Sequence, residues 1–184
     1  MNTPIDISAV TLKTDRLTIR PWQETDLNDL YEYARVDGVG QMAGWLPHEN
    51  IETSQIILNN FIDEKKTFAI ELDGKVIGSL GIETYKESQH PELAPLQGRE
   101  IGYVLSKDYW GQGLMPEAVQ AVIRYLFEDV NLDFVMCAHF EWNRQSKRVI
   151  EKCGFQYLST CQHTTRYETK ETTLEYILYN PKKA

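Results

Sequence analysis

The chain has 184 residues, a formal net charge of −8 and a sequence pI near 5.0. Hydrophobic residues make up 42% and charged residues 25%, which is typical of a globular domain, and no apolar stretch approaches the ~20 residues that a membrane span needs. The acidic balance repels phosphate backbones and anionic lipids, so it argues against nucleic acid and membranes as partners.

The first residues lack the basic start and apolar run of a signal peptide, so we expect a cytoplasmic location. The cysteines Cys137, Cys153 and Cys161 are odd in number and contain no C-x-x-C pair, which predicts reduced thiols. The histidines show no ligand spacing, and we predict no metal site. They are His48, His90, His139 and His163.

Hydrophobic periodicity predicts one domain, residues 10–181, with seven strands and four helices in the order βααβββαβαββ. The strands are expected at residues 16–21, 67–72, 75–83, 100–106, 132–139, 155–162 and 172–179. The helices are expected at residues 24–35, 52–64, 116–128 and 146–152. The Asp73-Gly74 dipeptide predicts a two-residue hairpin, and Gly154 is expected to end the last helix.

Side-chain patterns add detail to two of these helices. Glu24 or Thr25 is expected to cap the first helix. The second helix is amphipathic, and its buried stripe is predicted to consist of Ile56, Ile57, Phe61 and Ile62.

The stretch 100–118 runs from a strand through a turn with Gly111 and Gly113 into a helix with Pro116 in its first turn. Backbone N–H groups at such a junction lack helical partners, and the helix dipole favours anions there. Glycine at this place is also ordinary turn chemistry, so the pattern alone leaves both interpretations open. The spacing matches neither a P-loop nor a dinucleotide fingerprint.

Several motifs together resemble one family. Residues 110–115 (WGQGLM), followed by Glu117-Ala118, resemble motif A of the GNAT acetyltransferases in its RimJ/RimL-like variant. Residues 143–146 (NRQS) and 151–155 (EKCGF) resemble the family's later segment, and residues 14–17 and 20–22 resemble its opening strand. The resemblance covers residues 12–180 in the family's order.

The resemblance implies an α+β fold with a mixed, mostly antiparallel seven-stranded sheet, flanked by about four helices and splayed at the cofactor strand. It implies acetyl-coenzyme A (acetyl-CoA) as the co-substrate and no metal. The backbone of the cofactor strand would hold the pantetheine arm, the glycine loop the pyrophosphate, and Asn143 the region near the reacting end. The implied cofactor residues are Tyr103, Val104, Leu105, Trp110, Gly111, Gln112, Gly113, Leu114, Met115, Pro116, Asn143 and Ser146.

Two positions depart from the family pattern. Met115 stands where the general motif has glycine or alanine, which is tolerable if its side chain points away from the phosphates. Ile150 stands where many GNAT enzymes have a tyrosine that acts as general acid toward the departing thiolate. By resemblance to RimJ/RimL-like enzymes, we transfer the thiolate-stabilising role to Ser146.

The reaction that the resemblance implies is direct attack of an amine on the acetyl thioester. The amine must first lose a proton, and Glu100 is the first candidate base, directly or through water, with Glu83 as the second. Backbone N–H groups near Leu105 would polarise the thioester carbonyl. Trp45 is the favoured aromatic for an acceptor pocket and Tyr85 another, although such residues often only pack.

Some alternatives stay open at this point. Cys137 lies near the predicted reacting end, where either an acetyl-cysteine or a buried inert thiol is conceivable. A catalytically degenerate GNAT domain could bind acyl-CoA as a sensor, and a domain for protein contacts would explain the amphipathic pattern but not the glycine loop. The acceptor is a protein N-terminal amine or a small-molecule amine, and the protein is a monomer or a homodimer.

Overall fold

The computed structural model describes residues 1–183, which form one mixed sheet of eight strands. The strands are β1 (Leu12–Lys13), β2 (Thr18–Pro21), β3 (Thr67–Leu72), β4 (Lys75–Glu83), β5 (Gly98–Leu105), β6 (Phe134–Phe140), β7 (Gln156–Thr164) and β8 (Lys170–Tyr179). The helices are α1 (Leu27–Ala34), α2 (Ile51–Glu64), α3 (Leu114–Glu128) and α4 (Arg144–Lys152). The spatial order is β1-β2-β3-β4-β5-β6-β8-β7.

Helices cover both faces of the sheet. Side chains alternate between the two faces along a strand, as β3 shows. Phe68 and Ile70 pack on the face covered by α3 and α4. Ala69 packs on the opposite face, with Leu30 of α1 and Leu58 of α2. All neighbouring strands are antiparallel except β5 and β6. This agrees with the predicted fold class.

The predicted number of strands is wrong by one. The additional strand β1 has only two residues, paired as Leu12↔Ile19 and Lys13↔Thr18, which is too short to produce a periodic signal. The α3 helix begins at Leu114, two residues earlier than predicted, because Gly113 turns the chain at its N-cap with a φ of 75°. The Asp73-Gly74 hairpin is confirmed, since both residues have the positive φ of a type I′ turn, 50° and 81°.

Two details of the first two helices differ from the prediction. Gln23, not Glu24 or Thr25, caps the first helical segment, because residues Glu24–Asp26 form a 3-10 turn that precedes α1. Ile56 was wrongly assigned to the buried face of α2, and 62% of it is exposed. The buried face instead follows Ser54 and Leu58, one turn apart, and Ile56 lies two residues from Leu58, about 200° around the helix.

The parallel pair β5–β6 separates partway along its length. Its ladder covers only Gly98–Ile101 against residues 134–137, whereas β5 stays paired with β4 as far as Leu105 and β6 with β8 as far as Phe140. Beyond Ile101 the edge of β5 that faces β6 therefore has no strand partner among residues 1–183. This separation is the predicted splay, and it opens the sheet between its two helical layers.

No helix among residues 1–183 is both long and apolar enough to cross a membrane.

Candidate active site

A cavity of about 580 Å³ lies where β5 and β6 separate, and both faces of the sheet contribute to it. On the face of α3 and α4 the cavity is lined by the turn 111–116 and by α4 side chains, and we call this the glycine wall. On the opposite face it is lined by Glu100 of β5 and Glu175 of β8, and we call this the acidic wall. One continuous space thus connects a glycine-rich helix start with two carboxylates.

The turn of the glycine wall leaves its backbone accessible. Gly111 and Gly113 have φ angles of 77° and 75°, a region that L side chains rarely adopt. A Cβ atom at Gly111 would have no neighbour within 4 Å, and one at Gly113 would meet only the Arg16 side chain at 3.7 Å. Trp110 holds the start of the turn, because its Nε1 donates to the Leu105 carbonyl at 2.8 Å. An anion can therefore approach the first N–H groups of α3.

Arg16 and Glu117 brace this turn from outside the cavity. The Glu117 carboxylate accepts hydrogen bonds from the Thr14 hydroxyl at 2.6 Å and from Arg16 Nε at 2.7 Å, and Arg16 Nη2 lies 2.6 Å from it. Arg16 Nη1 also donates to the Gln112 carbonyl at 2.9 Å. The chain before β2 is thus fastened both to the turn and to the first turn of α3.

Helix α4 supplies polar side chains to the glycine wall. Arg148 and Lys152, one helical turn apart, both line the cavity and give this side a positive charge. Ser146 lies in the first turn of α4, and its N–H donates to the N-cap Asn143 at 3.1 Å. The Asn143 Nδ2 donates to the Met42 carbonyl at 3.1 Å. Both polar atoms of the Asn143 amide are therefore engaged within the chain.

Tyr103 and Ser146 meet inside the cavity. The Tyr103 hydroxyl lies 3.0 Å from Ser146 Oγ and 3.3 Å from the Ser146 carbonyl oxygen. Burial, with the neighbouring Cys137, raises the pKa of Tyr103 well above its ordinary value, so the phenol keeps its proton. Burial likewise raises the pKa of the Cys137 thiol, which is 1% exposed, so Cys137 is a neutral thiol and a poor nucleophile.

The acidic wall centres on Glu100. Burial raises the pKa of Glu100 to about 7, with further contributions from the negative charges of Glu175 and Glu83, while Lys86 and His90 oppose the shift. Among residues 1–183 the Glu100 carboxylate has no hydrogen-bond partner, whereas Glu175 accepts from Ser159 and lies 3.1 Å from His90 Nε2. Glu100 is thus a free carboxylate that changes its protonation state near neutral pH.

The structure brings most of the predicted site residues together. Glu100 and eleven of the twelve predicted cofactor residues line the cavity. The exception is Gln112, which lies outside it, with its carbonyl bonded by Arg16 and its Nε2 donating to the Asp108 carbonyl at 3.3 Å. Met115 is among the residues that line the cavity, although it is only 5% exposed and packs in the core.

The second candidate base, Glu83, and the two aromatic residues predicted for the acceptor pocket lie elsewhere. Trp45 packs on His48 with ring centroids 5.2 Å apart, and Glu83 forms an ion pair with Lys66 at 2.7 Å. Tyr85 is 3% exposed and packs on Phe134, also at 5.2 Å. None of the three lines the cavity, because the chain turns these side chains into local packing or toward solvent.

Sequence reasoning missed much of the cavity lining. Glu175, Thr173, Cys161 and His163 enter from β7 and β8, far along the chain from β5, and no local pattern marks them. Arg148 and Lys152 carried a usable signal, since basic residues four apart lie on the same side of a helix.

Among residues 1–183 no group of three His, Cys, Asp or Glu side chains could hold a metal ion.

Comparisons with known proteins agree with this architecture. Residues 16–156 match the family model described as the acetyltransferase (GNAT) domain. The uncharacterized N-acetyltransferase p20 of Bacillus licheniformis is 26% identical over 154 residues, which are 79% of this chain and 82% of that protein. The chain belongs to the GNAT acetyltransferase family.

Solved structures share the fold at low sequence identity. An acetyltransferase (GNAT family) from Bacillus anthracis superposes with a TM-score of 0.80 at 22% identity, covering 93% of this chain and 99% of that one. The ribosomal-protein-S5-alanine acetyltransferase from Vibrio fischeri superposes with a TM-score of 0.72 at 20% identity, covering 95% and 99%. These neighbours show that the chain shares the fold of solved acetyltransferases.

Proposed function

We propose that the protein transfers the acetyl group of acetyl-CoA to a primary amine by direct attack while both substrates are bound. The observation that carries this proposal is the cavity through the splayed sheet, which has an anion-accepting backbone on the glycine wall and a free carboxylate on the acidic wall. Donor and acceptor can therefore approach one point from opposite faces of the sheet.

The glycine wall fits coenzyme A. Its pyrophosphate would lie at the turn 111–116, where Gly111 and Gly113 leave the backbone open and the first N–H groups of α3 lack helical partners, with Arg148 and Lys152 near the phosphates. The unpaired edge of β5 beyond Ile101 offers backbone groups to the pantetheine arm. The bound co-substrate supplies an acetyl group activated as a thioester.

The acidic wall fits the amine acceptor. A primary amine is mostly an ammonium ion at neutral pH and must lose a proton before it can attack. Glu100, with a pKa of about 7, is ionised to a useful extent at that pH and can accept the proton directly or through water. Glu175 adds a second negative charge that attracts the cation, which supports an amine and opposes an anionic acceptor.

The acceptor class includes protein N-terminal amines and small-molecule amines. We place the enzyme in the cytoplasm as a monomer or a homodimer, without nucleic-acid or membrane partners, and the net charge of −8 supports the absence of these two polyanionic partners. The second candidate function is a non-catalytic domain that binds acyl-CoA as a sensor. It is favoured by Ile150, which is 1% exposed and supplies no acid to the cavity.

Calorimetric titration with acetyl-CoA tests the proposal first. We expect micromolar affinity, worth about 8 kcal/mol, and a loss of at least tenfold in Gly111→Glu, whose carboxylate would repel the pyrophosphate. The matched control is Gly74→Glu, since Gly74 has a similar φ of 81° and equally open surroundings but lies in the β3–β4 hairpin. Failure of the folded wild type to bind would refute the proposal.

An amine screen with detection of the released thiol then separates the two candidate functions. Amine-dependent thiol release that Glu100→Gln abolishes would support the enzyme. Tight binding of acetyl-CoA without release across N-terminal peptides and small amines would support the sensor.

A further inference from the structure

The position at which many GNAT enzymes carry a tyrosine cannot supply a hydroxyl here. Ile150 packs in the core between α4 and the sheet and does not line the cavity. The hydroxyl groups that do line it belong to Thr84, Tyr103, Tyr109, Ser146 and Thr173. Only Tyr103 and Ser146 among these lie within hydrogen-bond distance of each other in the described chain, at 3.0 Å.

The Tyr103 phenol has one proton and two oxygen acceptors within reach. It can donate to Ser146 Oγ at 3.0 Å or to the Ser146 carbonyl oxygen at 3.3 Å. In the second arrangement, donation to the carbonyl oxygen, the Ser146 proton can point at the phenol oxygen. In the first arrangement, donation to Ser146 Oγ, the Ser146 proton is free to point into the cavity. Negative charge in the cavity favours the first arrangement, because only then does Ser146 donate toward that charge.

The backbone around Ser146 is already fixed. Its N–H is bonded to the N-cap Asn143, and the phenol comes from the part of β5 that is paired with β4, from Glu100 to Leu105. The remaining freedom of Ser146 is the rotation of its side chain and its hydroxyl proton. A neighbour that is always a donor can set that rotation, and Tyr103 is such a neighbour because it stays protonated.

We propose that Tyr103 is a positioning residue, which donates to Ser146 Oγ and thereby aims the Ser146 hydroxyl at the sulfur of bound coenzyme A. This inference rests on the proposed function. The two hydroxyls keep their protons and the sulfur keeps its electron pair, so the pair stabilises a thiolate by hydrogen bonding without proton transfer. A tyrosine on the cofactor strand thus compensates for the one missing at position 150.

The pKa of the thiol of bound coenzyme A tests this inference without any acceptor. We would measure thiolate absorbance against pH at saturating coenzyme A. The wild type is expected to lower the thiol pKa relative to free coenzyme A. Ser146→Ala and Tyr103→Phe should each raise it by about one unit relative to the wild type, since a hydrogen bond to a charged group is worth about 1.5–3 kcal/mol. The matched control is Tyr109→Phe, because Tyr109 lines the cavity and its hydroxyl forms no hydrogen bond with Ser146 in the described chain.

The double variant separates positioning from a general structural effect. Tyr103→Phe is expected to change nothing further in the Ser146→Ala background, because its action passes through Ser146. A thiol pKa that Tyr103→Phe leaves unchanged, or shifts equally in both backgrounds, would overturn the inference.

If Tyr103→Phe does not fold, Tyr103→fluorotyrosine preserves the shape of the side chain. It is a stronger donor, so it should lower the thiol pKa further, and an unchanged pKa would overturn the inference.

Calorimetry with coenzyme A distinguishes this inference from the proposed function. No binding by the folded wild type refutes both. Binding that persists in all variants, with one common thiol pKa, refutes only the role of Tyr103 and Ser146.

Discussion

The two walls of the cavity are built in different ways. The glycine wall uses backbone and a few side chains from one strand-turn-helix unit and from α4, so most of its members are close in sequence. The acidic wall collects side chains from β5, the loop after β4, and β7 and β8. The glycine wall is therefore suited to a constant ligand with phosphates, and the acidic wall can change its selectivity through separate substitutions.

Substituting Glu100 is expected to have the largest effect and to separate the two walls. Glu100→Gln should lower kcat/KM for the amine about 10²- to 10⁴-fold, because the base is lost, while the affinity for acetyl-CoA stays unchanged. Steady-state kinetics and calorimetry measure the two quantities. Glu83→Gln is the control and should remain active, since Glu83 pairs with Lys66 outside the cavity. Equal losses in both variants would remove Glu100 from the mechanism.

The same residue predicts a pH dependence of stability. The pKa of Glu100 is raised from 4.5 to about 7 in the folded chain, so the folded state favours the protonated carboxyl. Its stabilising contribution is complete below pH 4.5 and is lost as the pH rises through 7, about 3 kcal/mol in all.

Glu100→Gln should lack this loss. Relative to the wild type, its free energy of unfolding is expected to increase by about 3 kcal/mol between pH 4.5 and pH 8. Urea denaturation of both proteins at each pH measures this difference. A constant difference across the pH range would show that Glu100 is not desolvated in the folded state.

On the glycine wall the braced turn predicts a smaller effect. Glu117→Gln should weaken acetyl-CoA binding about fivefold, roughly 1 kcal/mol, because the partner that holds Arg16 against the turn loses its charge. Calorimetry measures the affinity. Glu128→Gln is the control, because the exposed Glu128–Lys182 pair lies at the other end of α3. A similar loss in the control would indicate a general effect of charge on the helix.

The smallest effect is expected at Glu175. Its negative charge raises the pKa of Glu100, so Glu175→Gln should move the acid limb of the rate profile to lower pH by less than about one unit. Glu83 also raises this pKa, and Lys86 and His90 lower it, and all three remain in the variant. Rates measured from pH 5 to 9 test the shift. A movement to higher pH would contradict the arrangement of the acidic wall.

The fold and the glycine wall were largely predictable because their signals are local. Alternating hydrophobicity, the Asp73-Gly74 turn and the glycines before α3 each act within a few residues, and the structure has them as predicted. The unpredicted strand β1 is stabilised by its pairing with β2 and has no local signature.

The acidic wall was mostly unpredictable because it depends on strand order and side-chain direction. The last hairpin inserts β8 between β6 and β7, which places Glu175 opposite Ala138 and beside the cavity. Sequence order alone would put β7 there. Tyr85 shows the second difficulty, since a position at the end of a strand does not determine whether an aromatic side chain faces a cavity or a core.

The Asn143 amide connects the two sides of the cavity. Its oxygen accepts from Ser146 N–H at the start of α4, and its Nδ2 donates to the carbonyl of Met42, in the segment between α1 and α2. Met42 and Ser146 both line the cavity. One side-chain amide therefore ties the Met42 segment to the backbone at the start of α4, so the position of the serine depends on a segment about 100 residues earlier in the chain.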